Sequence, residues 1–162
     1  MVVRQLQPDE AAVYRTIRLA ALAQSPEAFG STLALEADRP LEFFAARMAA
    51  GAVFVAEIEG LVVGMVGFRQ EEREKLRHKG VIWGVFVRPE ARGRGVAEAI
   101  VRAALAYARE KVEQAHLVVV RGNDSAHGLY ARLGFTEYGI EPRALRMGAE
   151  YFDEILMVKI FL

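Results

Sequence analysis

The chain has 162 residues and a mass of 18.0 kDa, with 53% hydrophobic and 26% charged residues, so it is about one domain long with enough apolar content for a sizeable core. That excludes intrinsic disorder, which needs low hydrophobicity and excess charge. Lys and Arg number 21 and Asp and Glu 21, so no basic excess points to nucleic acid, and the lack of cysteine excludes disulfides, thiolate metal sites and a cysteine nucleophile.

In chain order, Val2 to Leu6 alternates loosely and predicts a short strand. Pro8-Asp9-Glu10 opens a helix with an acidic first turn, and Ala12, Val13, Ile17, Ala20 and Ala21 keep helical spacing to about Gln24. Ser25-Pro26 ends it, and residues 26–39 read as irregular. A second helix runs from about Pro40 through Phe43, Phe44 and Met48 to Gly51. Two strands, 53–58 and 62–68, are joined across Glu59-Gly60 as a hairpin, and the charged run 70–79 reads as a solvated connection. Residues 81–87 are nearly continuous apolar sequence, as in a central strand covered on both faces. A helix follows to about Lys111, with Val96, Ile100, Ala103, Ala104, Tyr107 and Ala108 on one stripe. His116 to Val120 is another central strand and Asp124 to Arg132 a short helix, with Gly134 at its left-handed exit. Strands from Phe135 and from about Glu150 to Phe161 complete one α/β domain over residues 1–162, with a mixed sheet and no internal repeat.

No stretch approaches the roughly 18 apolar residues of a membrane span, and Met1 to Pro8 has no apolar leader core. The expectation is a cytoplasmic protein with neither a nucleic-acid nor a membrane partner.

The chemistry concentrates in Val85-Phe-Val-Arg-Pro-Glu-Ala-Arg-Gly-Arg-Gly-Val-Ala97, where a buried strand enters a Gly-rich turn that opens into a helix. Such a turn presents unpaired backbone N–H groups at the positive end of a helix dipole, which suits a diphosphate or larger polyphosphate. Gly93 and Gly95 remove the Cβ atoms that would block close approach, and Arg92 and Arg94 add positive charge. The plain alternative is a merely tight turn. A P-loop is excluded because no Lys-Ser or Lys-Thr occurs, and a Rossmann fingerprint lacks its third Gly at Glu98.

Arg92-Gly-Arg-Gly95-Val-Ala97 resembles the [Q/R]-x-x-G-x-[G/A] pyrophosphate signature of the GNAT superfamily of acyl-CoA-dependent N-acyltransferases. Asn123-Asp-Ser-Ala126-His-Gly-Leu-Tyr130-Ala-Arg-Leu-Gly134-Phe135 is similar to the family's second pattern, in the right order and one helix and one strand downstream. The element order matches from about residue 2 to 162. The resemblance implies a GNAT-like acyl-CoA N-acyltransferase fold of the α/β class, with a mixed, mostly antiparallel sheet of about seven strands flanked by about four helices. It implies acetyl-CoA as acyl donor, a small-molecule or peptide amine as substrate, and direct attack of the amine in a ternary complex. Many members pair through their terminal strands, which makes a homodimer one expected assembly.

Carried over residue by residue, the resemblance assigns the pantetheine contacts to the backbone of Val85, Phe86 and Val87 and to Asn123. It assigns the pyrophosphate to the turn from Arg92 through Gly93, Arg94, Gly95, Val96 and Ala97, extending to Glu98. It places Tyr130 near the thioester sulfur as the acid for the departing thiolate. Asn123 also reads as an ordinary helix N-cap and Tyr130 as an amphipathic core edge.

Many relatives carry a Glu on the strand before the Asn, where this chain has Leu117-Val-Val-Val120. The base therefore stays open among Glu57, His78, Glu150 and a water chain. The histidines lack metal-ligand spacing, so no metal is expected. The acceptor pocket, by resemblance, falls to Phe29, Phe43, Phe44, Tyr151 and Phe152, with Glu150, Asp153 and Glu154 near the end. The competing readings are a non-catalytic acyl-CoA-binding sensor or scaffold, and a nucleotide site without CoA.

Overall fold

In the computed structural model, which describes residues 1–162, seven strands form one sheet in the order β1-β2-β3-β4-β5-β7-β6. These are β1 (Val2–Gln5), β2 (Gly51–Ile58), β3 (Leu61–Gln70), β4 (Lys79–Val87), β5 (Gln114–Val120), β6 (Thr136–Met147) and β7 (Glu150–Ile160). Only β4 and β5 pair in parallel; every other pair is antiparallel, so the expected mixed, mostly antiparallel sheet is what forms.

Alternation in the strands sorts the core onto both faces of the sheet. Ala52, Phe54 and Ala56 of β2 pack with Val96, Ile100 and Ala104 of α4 (Val96–Ala108) and with Leu129 and Tyr130 of α5 (Asp124–Arg132). Val53 and Val55 turn the other way, toward Tyr14 and Ile17 of α1 (Ala11–Gln24) and Phe44 and Met48 of α3 (Leu41–Ala49). The strands are therefore apolar throughout because both faces are covered.

Two expectations are corrected. The segment 26–39 is not wholly irregular: it holds a single turn of helix, α2 (Leu33–Glu36), the fifth α-helix beside the four read from the sequence. The Thr32 hydroxyl caps it, accepting from the Leu35 N–H at 3.1 Å. One turn is too short to leave a helical period in the sequence. The first helix also begins later than its acidic triplet suggests. Glu10 stands at the N-cap, accepting from the Gln7 N–H at 2.6 Å and pairing with Arg4 at 2.9 Å.

The site is made where the parallel pair fails. β4 and β5 pair only at Lys79–Gln114, Gly80–Ala115 and Val81–His116. Beyond that, β4 pairs Trp83 with Gly67 and then Phe86 with Met65, so Gly84 and Val85 together oppose the single residue Val66. Gly84 takes φ +68°, a left-handed conformation that side chains strain to adopt. The bulge bends β4 away from β5 and opens the sheet at its centre.

Candidate active site

The opening is a cleft of about 1120 Å³, large enough for more than one drug-sized ligand. Both edges of the split line it: Trp83–Val87 of β4 and Leu117–Val120 of β5, with the turn before α4 and the start of α5 at one end. Phe29, Gly30 and Arg18 approach from the α1 side, and Tyr138, Leu145, Phe152 and Glu154 from the β6–β7 hairpin.

At the α4 end the turn is built from backbone. Gly93 and Gly95 take φ +74° and +76°, and a Cβ added at either would meet no protein atom within 4 Å, so the turn faces open space. The Arg92 N–H donates to Pro89 O and the Ala99 N–H to Gly95 O, but none of the six N–H groups from Gly93 to Glu98 has an acceptor in the protein. Six consecutive donors at a helix N-terminus form an anion cradle that the fold leaves unpaired. The Glu98 carboxylate is drawn along the helix to Arg102 at 2.8 Å, a turn away from the cradle.

The two arginines of the turn diverge. Arg92 Nε donates to Val87 O at 3.0 Å and Nη2 to Ser25 Oγ at 3.4 Å, tying the turn to β4 and to the end of α1. Arg94 does not line the cleft; it borders a second cavity between α1 and the β2–β3 hairpin.

Asn123 caps α5, its Oδ1 accepting from the Ala126 N–H at 3.3 Å, and also lines the cleft. Tyr130 lines it too. It is 6% exposed, packs edge-on against Phe135, and no protein group hydrogen-bonds its hydroxyl. Burial pushes its hydroxyl well above the usual tyrosine range. Val85, Phe86, Val87, Arg92, Gly93, Gly95, Val96, Ala97, Asn123 and Tyr130 thus gather on one cleft, with Arg94 the exception.

The two carboxylates and the one histidine considered as bases lie elsewhere. Glu57 is held by Arg4 at 2.9 Å on the β1–β2 edge. His78 sits beside the closed end of the β4–β5 pair, where its carbonyl accepts from the Glu113 and Gln114 N–H groups. Glu150 is at the exposed tip of the β6–β7 hairpin. None of them lines the cleft.

The acid on the hairpin wall is Glu154, one of three acids where the resemblance pointed. It lies opposite Val120 of β5 and opposite Glu141 of β6. Burial, and then the like charge of Glu141, raise its carboxyl above the ordinary value. Of the aromatic residues expected in the acceptor pocket, Phe29 and Phe152 line the cleft. Phe44 is fully buried against Tyr14, Phe43 carries Arg47 on its ring, and Tyr151 is covered by Arg143 outside the cleft. The Asp153 carboxylate is spent on the Arg143 N–H.

Arg18 and Trp83 also line the cleft, and neither was singled out by sequence reasoning. Arg18 lies on the buried stripe of α1, where a charged residue among Tyr14, Ile17, Ala21 and Leu22 is the one signal available. Trp83 sat unmarked inside an apolar run, and its Nε1 is buried without a partner.

Comparison with known proteins places this geometry. The chain is 32% identical over 145 residues to the mycothiol acetyltransferase of Streptomyces griseus, a match covering 87% of this chain and 45% of that protein. The curated relatives it matches are longer, and it spans between 39% and 45% of each. A ribosomal-protein-alanine N-acetyltransferase from Brucella melitensis superimposes with a TM-score of 0.83 at 25% identity, covering 99% of this chain and 100% of that one. The yncA structure from Salmonella typhimurium, described with its cofactor acetyl-CoA, has a TM-score of 0.85 at 21% identity, covering 99% and 93%. A sequence model of the acetyltransferase (GNAT) family matches residues 17–135, and the chain belongs to that family.

Proposed function

We propose that residues 1–162 act as one N-acetyltransferase domain that moves the acetyl group of acetyl-CoA to a primary amine by direct attack within a ternary complex. The observation that carries this reading is the run of six unpaired N–H groups, Gly93 to Glu98, in a turn whose residues other than Arg94 line the same cleft as the split edge of β4 and Tyr130. A diphosphate is the ligand such a cradle fits, because successive amides at a helix N-terminus complement its charge without side chains. A nucleotide without CoA would use the cradle but leave the β4 edge and Tyr130 without a task.

Acetyl-CoA supplies an acyl group already activated as a thioester, so few protein groups are needed. The backbone of Val85, Phe86 and Val87, freed from β5 by the bulge, holds the pantetheine arm and donates an N–H to the carbonyl oxygen as charge builds there. Asn123 holds the arm from the other side. The amine nitrogen bonds to the carbonyl carbon, the carbon–sulfur bond breaks, and the amide leaves with the thiol as second product.

Tyr130 is protonated at neutral pH like any tyrosine, and burial holds the proton more tightly still. It is thus matched to a thiolate only while that thiolate is desolvated in the same dry wall. We assign it as the donor to the departing sulfur. Glu154 takes the proton that the attacking ammonium must lose; its raised pKa makes it a stronger base than an exposed carboxylate once ionised.

Calorimetry with acetyl-CoA, followed by a mass-spectrometric acetylation assay over a panel of amines, tests the reading. Sub-millimolar binding with turnover of at least one amine supports it. Binding without turnover of any amine favours the acyl-CoA sensor or scaffold.

A further inference from the structure

One charged cluster on the α1 side is not used by this mechanism. Glu36 of α2 is fully buried and takes two guanidinium groups. Arg18 donates through Nε and Nη2 to its two oxygens at 3.1 and 3.0 Å, and Arg47 donates through Nη1 to Oε1 at 3.2 Å. One carboxylate against two guanidinium groups leaves the cluster a net charge of +1.

Arg18, paired through two of its nitrogens with Glu36, brings its third nitrogen to the cleft. It is 6% exposed and lines the opening, and its Nη1 makes no hydrogen bond in the protein. That nitrogen lies 3.7 Å from the point where a Cβ on Gly84 would stand, so it reaches the bulge of β4. The Phe29 ring lies 5.2 Å from the guanidinium carbon and shields it further from water. An unpaired donor of a charged group in a largely buried wall is costly unless water or a ligand supplies an acceptor. Glu154 on β7, on the other side of the sheet's split, lines the cleft as well, as do Glu27 and Glu98.

We infer that the acceptor is a free α-amino acid with an apolar side chain, its carboxylate taken by Arg18 and its amine turned toward Glu154. This rests on the acetyl-transfer reading. The α-position follows from the place of Nη1. It sits at the bulge, beside the backbone that polarises the thioester, so the carboxylate must lie close to the attacking nitrogen. The apolar side chain follows from Phe29, Leu145 and Phe152, which line the remaining wall. A polyamine would set a second cation against Arg18, and a peptide N-terminus offers no carboxylate at that distance.

The test compares wild-type turnover of phenylalanine, leucine and methionine with that of their carboxamides and of the corresponding amines lacking the carboxyl group. The amides and the free acids differ little in shape, and the less basic amides keep more of their amine unprotonated at neutral pH, so a preference for the acids reports the pocket. We expect kcat/KM at least about 10-fold higher for the acids, the scale of one charge-assisted hydrogen bond to a partly buried guanidinium. Arg18→Gln should collapse that ratio while acetyl-CoA affinity by calorimetry stays unchanged, a split that a merely structural arginine would not produce. Should Arg18→Gln fail to fold, the wild-type ratio decides alone. Equal or better use of the amides or the decarboxylated amines overturns the substrate assignment and leaves acetyl transfer standing. Turnover of none of these compounds overturns it too, and loss of acetyl-CoA binding as well would take down the underlying reading.

Discussion

The two ends of the cleft are made of different material. The donor end is backbone: two glycines with positive φ, six free amides and the unpaired edge of a bulged strand. The acceptor end is side chains brought from far apart, with Arg18 on α1, Glu36 on α2, Arg47 on α3 and Glu154 on β7. Backbone cannot be changed without changing the fold, so the donor end is generic and fits any ligand with the same diphosphate handle. Side chains can be exchanged one at a time, so the acceptor end is where a substrate is chosen. Substitutions at the two ends should therefore fail in different ways.

The largest effect is expected at Gly95. Gly95→Glu forces a side chain into φ +76° and sets a negative charge in the anion cradle, so acetyl-CoA affinity should fall by at least about 100-fold in a protein of unchanged circular dichroism. Unaltered affinity by calorimetry would detach the cradle from the cofactor.

At the other end, Glu36→Gln should strike stability first, and use of the acceptor second, through the loosened Arg18. Two guanidinium groups would lose their shared anion in a buried place, at a cost of about 3–5 kcal/mol read by chemical denaturation. Burial opposes the Glu36 charge, but Arg18 and Arg47 prevail and hold its carboxyl below the ordinary value. A carboxyl depressed in the folded state stabilises at neutral pH, and that contribution fades as pH falls through the acid range. The wild-type protein should therefore lose stability on acidification more steeply than Glu36→Gln. Parallel pH profiles would mean that the cluster is not ionised as described.

Tyr130→Phe probes the donor end more gently. It removes one oxygen that has no hydrogen bond in the protein, so melting temperature and acetyl-CoA affinity should hold while kcat falls about 100-fold, the lower edge of general acid catalysis. A destabilised enzyme with full turnover per folded molecule would return Tyr130 to the core.

The smallest effect is expected at Glu154, where water can substitute. Glu154→Gln should lower kcat about 10-fold at neutral pH and flatten the acidic limb of the rate profile. Because folding raises the pKa of this carboxyl, the native state favours its protonated form, and ionisation costs stability as pH rises. The Gln variant should then be no less stable than wild type at pH 7. A variant that melts earlier, with kcat untouched, would make Glu154 structural.

The same contrast explains what could be read from the amino-acid sequence. The succession of elements along the chain and the Gly-rich turn were legible because they rest on local pattern: apolar runs at 81–87 and 116–120, and glycines spaced where backbone must be bare. The family motifs then carried the donor-side residues, and all but Arg94 meet at one cleft. The Arg18–Glu36–Arg47 cluster was not legible, because it joins residues 18 and 11 positions apart through a one-turn helix with no periodicity of its own. Glu57 looked available as a base until strand pairing brought Arg4 beside it. The β4 bulge that opens the sheet depends on how Gly67 meets Trp83 and Met65 meets Phe86, a register that neither strand specifies alone.

The central claim, that the six free amides receive the diphosphate of acetyl-CoA, is tested most directly by following backbone amide resonances in an isotopically labelled protein during titration with acetyl-CoA. The account predicts that Gly93, Arg94, Gly95, Val96, Ala97 and Glu98 show the largest saturable shifts and become protected from exchange, as donors that gain an acceptor must. Saturable binding with these six amides unmoved and still exchanging freely would contradict it.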